Sequence, residues 1–310
     1  MREQIKRIIK LLISLLLMAL LVSRVNYNEF RSVLGRTSIE GIFVVVIAYL
    51  VSVILNAIKW KVLLPTTELS FLIGLSFRAQ LYSTVLPGQL FGEASKVTAW
   101  SDRHEDTAKV AASVVFDKIT GMIGQLIIGV FGIYLSKNAV GISNKWTVII
   151  ILIVGIGAVV LSPNSHVSSG VRCTSSILGK INKKLEIKLL DTYESWVIFS
   201  SDGLIMFKSV LWGLINQLVC IFSVWYLSIH MGMRVDFMDF CWIIPLMSMI
   251  LLLPISFAGI GLRDTSLASM LSLFSVSAGS SLVISLSMLL GQLVSAGIGE
   301  LYILRSNIKK

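Results

Sequence analysis

The stretch GIFVVVIAYLVSVILNAI, residues 41–58, carries no charged side chain, and about 20 such residues cross the roughly 30 Å hydrocarbon core of a bilayer as a helix. Similar uncharged stretches run over 119–136, 146–162, 209–233, 240–262 and 265–299. The last is long enough for more than one crossing, and Ser277-Ala278-Gly279-Ser280 reads as a turn inside it. A shorter apolar segment, 8–23, follows Arg2, Lys6, Arg7 and Lys10. No small-x-small cleavage site follows it, so it is expected to be an uncleaved anchor rather than a signal peptide.

Composition agrees with the runs. Of 310 residues, 55% are hydrophobic and 14% charged, against roughly 25% charged in soluble domains. Too few charges exist to cover a water-facing surface, which excludes a soluble enzyme, a disordered chain and a nucleic-acid-binding module. The net charge of +10 sits in short segments between apolar runs, as in polytopic membrane proteins. Cys173, Cys220 and Cys241 lie far apart and indicate neither a zinc site nor a disulfide framework. The expected fold is an all-α polytopic membrane protein, a single domain over 1–310 with about seven to nine membrane segments, some of them re-entrant. Neither a cofactor nor a metal is expected.

Orientation follows from the basic residues, which favour the cytoplasmic side. The N-terminus, Lys59 and Lys61, a basic loop at about 163–208, and Arg305, Lys309 and Lys310 should all lie inside. They do so together only if the apolar stretch 69–100 enters and returns on one side. Its Leu86-Pro87-Gly88-Gln89-Leu90-Phe91-Gly92 suits a broken path, which is tolerated at membrane depth where it is buried in protein or lines a wet cavity. In the basic loop, Leu178, Ile181, Leu185, Leu189, Tyr193 and Trp196 recur at helical spacing among lysines. They fit an amphipathic helix on anionic headgroups or an ordinary helical hairpin equally well.

Two Pro/Gly-broken segments resemble each other. Pro87, Gly88 and Gly92 lead to Glu93 and Lys96, whereas Pro254, Gly259 and Gly261 lead to Arg263 and Asp264. Paired interruptions of this kind point to a transporter's binding site, because a broken helix exposes unpaired backbone groups and its N-terminal end favours an anion. Tight turns between helices are the alternative. Asp117-Lys118 is a third polar element in an apolar run, and a charge at mid-bilayer costs about 2.5–3.5 kcal/mol on insertion scales. Adjacent residues do not face each other on a helix, so Asp117 needs a partner, with Glu93, Lys96, Arg263 and Asp264 as candidates. Asn216, Gln217 and Gln292 fit interhelical hydrogen bonding, and Glu300 a helix end.

These residues resemble the lysylphosphatidylglycerol synthase transmembrane, flippase-like family. Its early P-G-x-x-G-E-x-x-R-like segment is matched at Pro87, Gly88, Gly92, Glu93 and Lys96, with one extra residue between the glycines. Its E-R-x-x-D-like pair is represented by Asp117-Lys118, with Gly121 where the trailing acid would stand. Its late P-x-x-x-G-G-x-G-x-R-E-like segment is matched at Pro254, Gly259, Gly261, Arg263 and Asp264, with Ala258 for the first glycine. The resemblance covers nearly the whole chain. It implies a membrane domain that moves a phospholipid or polyprenyl-linked headgroup between leaflets in cell-envelope lipid or glycan assembly. The separate soluble aminoacyltransferase domain of the synthases is expected to be absent, since the chain ends directly after its last span.

On this reading Glu93, Lys96, Asp117, Lys118, Arg263 and Asp264 bind substrate, and Pro87, Gly88, Gly92, Pro254, Gly259 and Gly261 form the gate. Arg263 and Lys96 would neutralise a phosphate, while the carboxylates would hold a cationic or hydroxylated headgroup. The partners expected are a membrane lipid or lipid-linked glycan and envelope-assembly enzymes, with no nucleic acid, at the plasma (inner) membrane with the N-terminus in the cytoplasm. No G-x-x-x-x-G-K-[ST] occurs, so ATP hydrolysis is not expected. Two other readings stand beside this one. An enzyme on lipid phosphates would need a histidine or a metal, yet His104 sits in a polar loop and no paired acids of ligand spacing occur within a span. A non-transporting accessory subunit would tolerate neutralisation of its intramembrane charges.

Overall fold

The computed structural model describes residues 27–86, 89–101, 107–136, 183–252, 256 and 258–308. The expected segments 8–23 and 146–162, together with Pro87, Gly88, Pro254, His104, Leu178 and Ile181, lie outside the described residues. The described chain is helical, with no strand among those residues: α1 Tyr27–Arg36, α2 Ile39–Leu63, α3 Leu69–Val85, α4 Gln89–Ser101, α5 Thr107–Leu135, α6 Lys183–Ser201, α7 Gly203–His230, α8 Phe237–Ile250, α9 Leu262–Ser272 and α10 Ala278–Ile308.

Four of these helices, α2, α5, α7 and α10, are long and apolar enough to cross a membrane. Their outward faces carry large apolar side chains, among them Phe43, Ile54, Phe131, Phe222 and Leu290, whereas buried positions include Lys59, Asp117, Gln217 and Gln292. Apolar outside and polar within is the arrangement a hydrocarbon solvent selects. The chain is a multi-pass membrane protein.

The stretch 69–101 folds as two helices, α3 and α4, that run antiparallel. Phe71 and Trp100 pack with ring centroids 5.4 Å apart at the open end. Near the closed end, Gly92 lies against Ala79 and Ser83 so closely that a side chain there would clash with the Ala79 carbonyl. At ~1.5 Å per residue the two helices are about 25 and 20 Å long, each short of a full crossing. The segment expected to span at 240–262 is also divided: α8 stops at Ile250, and α9 begins only at Leu262. The break is enforced by positive φ at Ala258 (51°), Gly259 (79°) and Gly261 (82°), which a continuing α-helix excludes. Trp242 near the start of α8 meets Phe274 just beyond α9, so α8 and α9 form a second antiparallel hairpin.

Small residues bring the helices together, as membrane packing favours. Gly124 and Gly213 allow α5 and α7 to touch near the backbone, and Gly74 and Gly299 do the same for α3 and α10. Two apolar clusters result. One gathers Ile221, Phe240, Ile244, Met247 and Leu267, and the other Trp60, Leu72, Trp100 and Phe116. In the range expected as a basic loop, α6 packs on α5, with Trp196 5.2 Å from Phe116 ring to ring and Phe199 buried beside it. The apolar residues at this end of the stripe therefore face protein, and they favour the hairpin over a helix lying on headgroups. Asp202 caps α7 by accepting from the N–H groups of Leu204 and Ile205, so Lys208 belongs to that helix and is exposed on it.

Candidate functional site

Several helices place polar side chains at helical spacing on their inward faces. On α2 these are Tyr49, Ser52, Asn56 and Lys59; on α3, Ser76, Gln80 and Ser83; on α5, Asp117, Lys118 and Gln125; on α7, Asn216 and Gln217. Together with Gly92, Glu93 and Lys96 of α4, Ala258 before α9, Arg263 at its start and Gln292 of α10, they line one cavity of about 260 Å³. Both hairpins thus reach the same space.

Lys59 is the residue that sequence reasoning misplaced. Read as a cytoplasmic marker beyond the end of a span, it lies inside α2 and is 2% exposed. Its ammonium stands 3.3 Å from Asp117 Oδ1 and also donates to the Asp117 backbone carbonyl. Asp117 is therefore partnered from α2, a helix that supplied none of the four candidates. A charge inside a span needs such a partner to be retained, and Asp117 is 6% exposed. Lys61 keeps the terminal role: its ammonium donates to the carbonyls of Pro65 and Thr67 just beyond the helix.

On α4, Lys96 pairs with Glu93 one turn earlier at 2.8 Å, and its ammonium lies 4.9 Å from the centre of the Trp60 ring. The aromatic face adds a favourable contact for a cation held away from water. Lys118 is half-buried on the cavity wall.

Arg263 and Asp264 have distinct tasks. Asp264 Oδ2 accepts the Gly261 N–H at 2.7 Å, and its other oxygen accepts from the Ser285 hydroxyl. Asp264 thereby caps α9 and fastens it to α10, and it is absent from the cavity lining. Arg263 lines the cavity while 3% exposed. Its Nε donates to Ser285 Oγ at 2.8 Å and its Nη1 to Gln292 Oε1 at 3.3 Å, whereas Nη2 is buried with no hydrogen-bond partner among the described residues. Gln292 Nε2 in turn donates to Thr84 Oγ1 on α3 at 3.2 Å. One amide therefore links the turn of the second hairpin to the end of the first.

Of the expected gate residues within the described chain, Gly92 lines the cavity, and Gly259 and Gly261 shape the turn before α9. Asn216 donates to Asn56 Oδ1 at 3.4 Å between α7 and α2, as interhelical bonding requires. Lys59, Tyr49 and Ser285 were missed. The signal for Lys59 and Tyr49 was the 49, 52, 56, 59 spacing, a polar stripe on one face of an apolar helix.

The family model described as the lysylphosphatidylglycerol synthase TM region matches residues 7–295. No curated protein and no solved structure matches the chain.

Proposed function

We infer, since the chain belongs to the lysylphosphatidylglycerol synthase TM region family, that it moves the polar headgroup of a membrane lipid between leaflets. The observation that carries this reading is the charged cavity lined by spanning helices and reached by both hairpins. Hydrocarbon opposes passage of a headgroup, so a path must supply polar groups at depth while the tails remain in lipid. Two broken helical elements meeting at such a space are the usual construction of a transport site. In the proposed cycle the headgroup enters beside Glu93 and Lys96, and the two hairpins part to release it on the other side. The activity is movement, without bond-making chemistry.

The proposed setting is the plasma membrane of a bacterial-type envelope, with the N-terminus and the basic segments in the cytoplasm. Lys61 at the end of α2 and the exposed Lys208 of α7 support that sidedness, because basic residues are retained inside. The lipid serves cell-envelope assembly, and envelope-assembly enzymes supply or consume it.

The test uses proteoliposomes holding a headgroup-labelled phospholipid in both leaflets and an impermeant quencher added outside. Protein that moves headgroups lets quenching proceed beyond the outer-leaflet half, and Arg263→Gln slows that second phase at least tenfold. Quenching that stops at half, as in protein-free vesicles, for every labelled lipid tried would overturn the reading.

A further inference from the structure

The charges facing the cavity are unequal. Lys59, Lys96, Lys118 and Arg263 line it against two carboxylates, Glu93 and Asp117. Each carboxylate already has its own lysine, Glu93 with Lys96 and Asp117 with Lys59. Asp264 stands 3.9 Å from Arg263 Nε, but its oxygens are engaged by Gly261 and Ser285 and it lies behind the wall. Lys118 has no carboxylate within 4 Å among the described residues.

The donors left over point the same way. Arg263 Nη2 and Gln217 Nε2 are buried and without a hydrogen-bond partner among the described residues, and both side chains line the cavity. Of the lining acceptors without a hydrogen bond, Asn216 Oδ1 and Ser76 Oγ are uncharged, and Glu93 Oε2 and Asp117 Oδ1 each have a lysine ammonium within 3.3 Å as an ion-pair partner. A buried polar group without a partner is costly, and a guanidinium fixed on two sides is preorganised for one further acceptor.

We propose that this cavity takes a lipid headgroup whose only charge is a phosphate, with Arg263 and Lys118 as the phosphate-binding pair, and that it disfavours aminoacylated headgroups. This rests on the cavity being a headgroup site. An aminoacyl group would bring an ammonium among four cations, with both carboxylates already neutralised. Like charges in a poorly screened interior repel strongly. A phosphate instead meets the two cations that lack a carboxylate on the cavity wall, in a cavity that the unpartnered Gln217 Nε2 also lines. The same chemistry is offered by a phosphatidylglycerol diester and by a polyprenyl phosphate.

The full chain, purified in detergent, is titrated with phosphatidylglycerol, polyprenyl phosphate and lysyl-phosphatidylglycerol, and bound lipid is counted by native mass spectrometry. At least one of the two anionic lipids binds tenfold or more tighter than the lysyl lipid, and whichever binds tighter identifies the source of the phosphate. Lys118→Gln and Arg263→Gln each reduce that preference fivefold or more, while Phe131→Ala on the lipid-facing surface leaves it unchanged. Lys118 is only half-buried, so its variant keeps the test open if Arg263→Gln fails to fold. Equal or tighter binding of the lysyl lipid overturns the proposal, as does an undiminished preference in Lys118→Gln. Selective binding of the anionic lipid without headgroup movement in vesicles would sink translocation alone. Movement that favours the lysyl lipid would sink this proposal alone.

Discussion

Lys59 on α2 serves both the carboxylate and the backbone carbonyl of Asp117 on α5, so one ammonium closes the gap between two spanning helices. Gly121, one turn further along α5, leaves room for it: a side chain there would come within 3.0 Å of Lys59 Nζ. The pair is buried, and its two members depend on each other. Removing one partner of a buried ion pair strands the other at a cost of about 3–5 kcal/mol, whereas replacing both with apolar residues is often neutral.

Lys59→Met is accordingly expected to lower thermal stability in detergent by several kcal/mol, and Lys59→Met combined with Asp117→Leu to recover most of it. Thermal unfolding of the purified single and double variants measures both. A double variant as unstable as the single would show that the pair is held by more than mutual neutralisation.

Gly299 sits where α10 crosses α3, against the Phe77 backbone, whereas Gly297 on the same helix has open space around it. Gly299→Val should destabilise by about 1–3 kcal/mol through overpacking, and Gly297→Val by much less. Parallel melting curves for the two variants decide it. Equal losses would mean that helix propensity, and not the crossing, sets the requirement for glycine.

Gly261 takes φ 82° and donates its N–H to Asp264. Gly261→Ala places a side chain where backbone strain costs of order 1–3 kcal/mol, and it should loosen the start of α9. Gly232 also has positive φ, with nothing within 4 Å of an added Cβ. Gly232→Ala therefore carries the backbone strain without a site beside it. The expected outcome is loss of stability in both variants, with loss of lipid binding in Gly261→Ala alone. Intact binding in Gly261→Ala would separate the turn from the site.

Cysteines at positions 84 and 292 are expected to be bridged by a short, reducible bis-maleimide, because Gln292 Nε2 reaches Thr84 Oγ1 at 3.2 Å. The length of that glutamine leaves the two shorter thiols too far apart for a direct disulfide. The background for this test lacks the native cysteines. Gel mobility before and after reduction, following proteolysis between the hairpins, reads the bond. Persistent failure in folded protein would mean that the two hairpins do not meet here.

The membrane class was legible in the sequence because a span announces itself by length and absence of charge, as residues 41–58 do. The hairpin of α3 and α4 was legible through Pro87-Gly88 and the need to keep basic segments on one side. The partner of Asp117 was not. Lys59 sits beside Trp60 and Lys61 at the end of an apolar run, where snorkelling is the common fate of a lysine. Only tertiary packing with α5 distinguishes it from Lys61 two residues on. The break in the 240–262 run was legible from Pro254, Gly259 and Gly261 and not from hydropathy, which is insensitive to backbone conformation: positive φ at Ala258, Gly259 and Gly261 leaves the apolar average intact. Asp264 matched a motif by charge type, yet its geometry is that of a helix cap. A charged position in a motif can therefore hold the frame of a site without touching its contents.

Gln292 offers its oxygen to Arg263 and its nitrogen to Thr84, and the two ends of an amide are not interchangeable. A half-turn of that one group would set donor against donor at the guanidinium and place the carbonyl oxygen where the nitrogen had been. Arg263 would thereby lose a tether at the moment the link to α3 changes character. The orientation of a single side chain thus ties the guanidinium at the start of α9 to the end of α3, and turning it would alter both contacts at once.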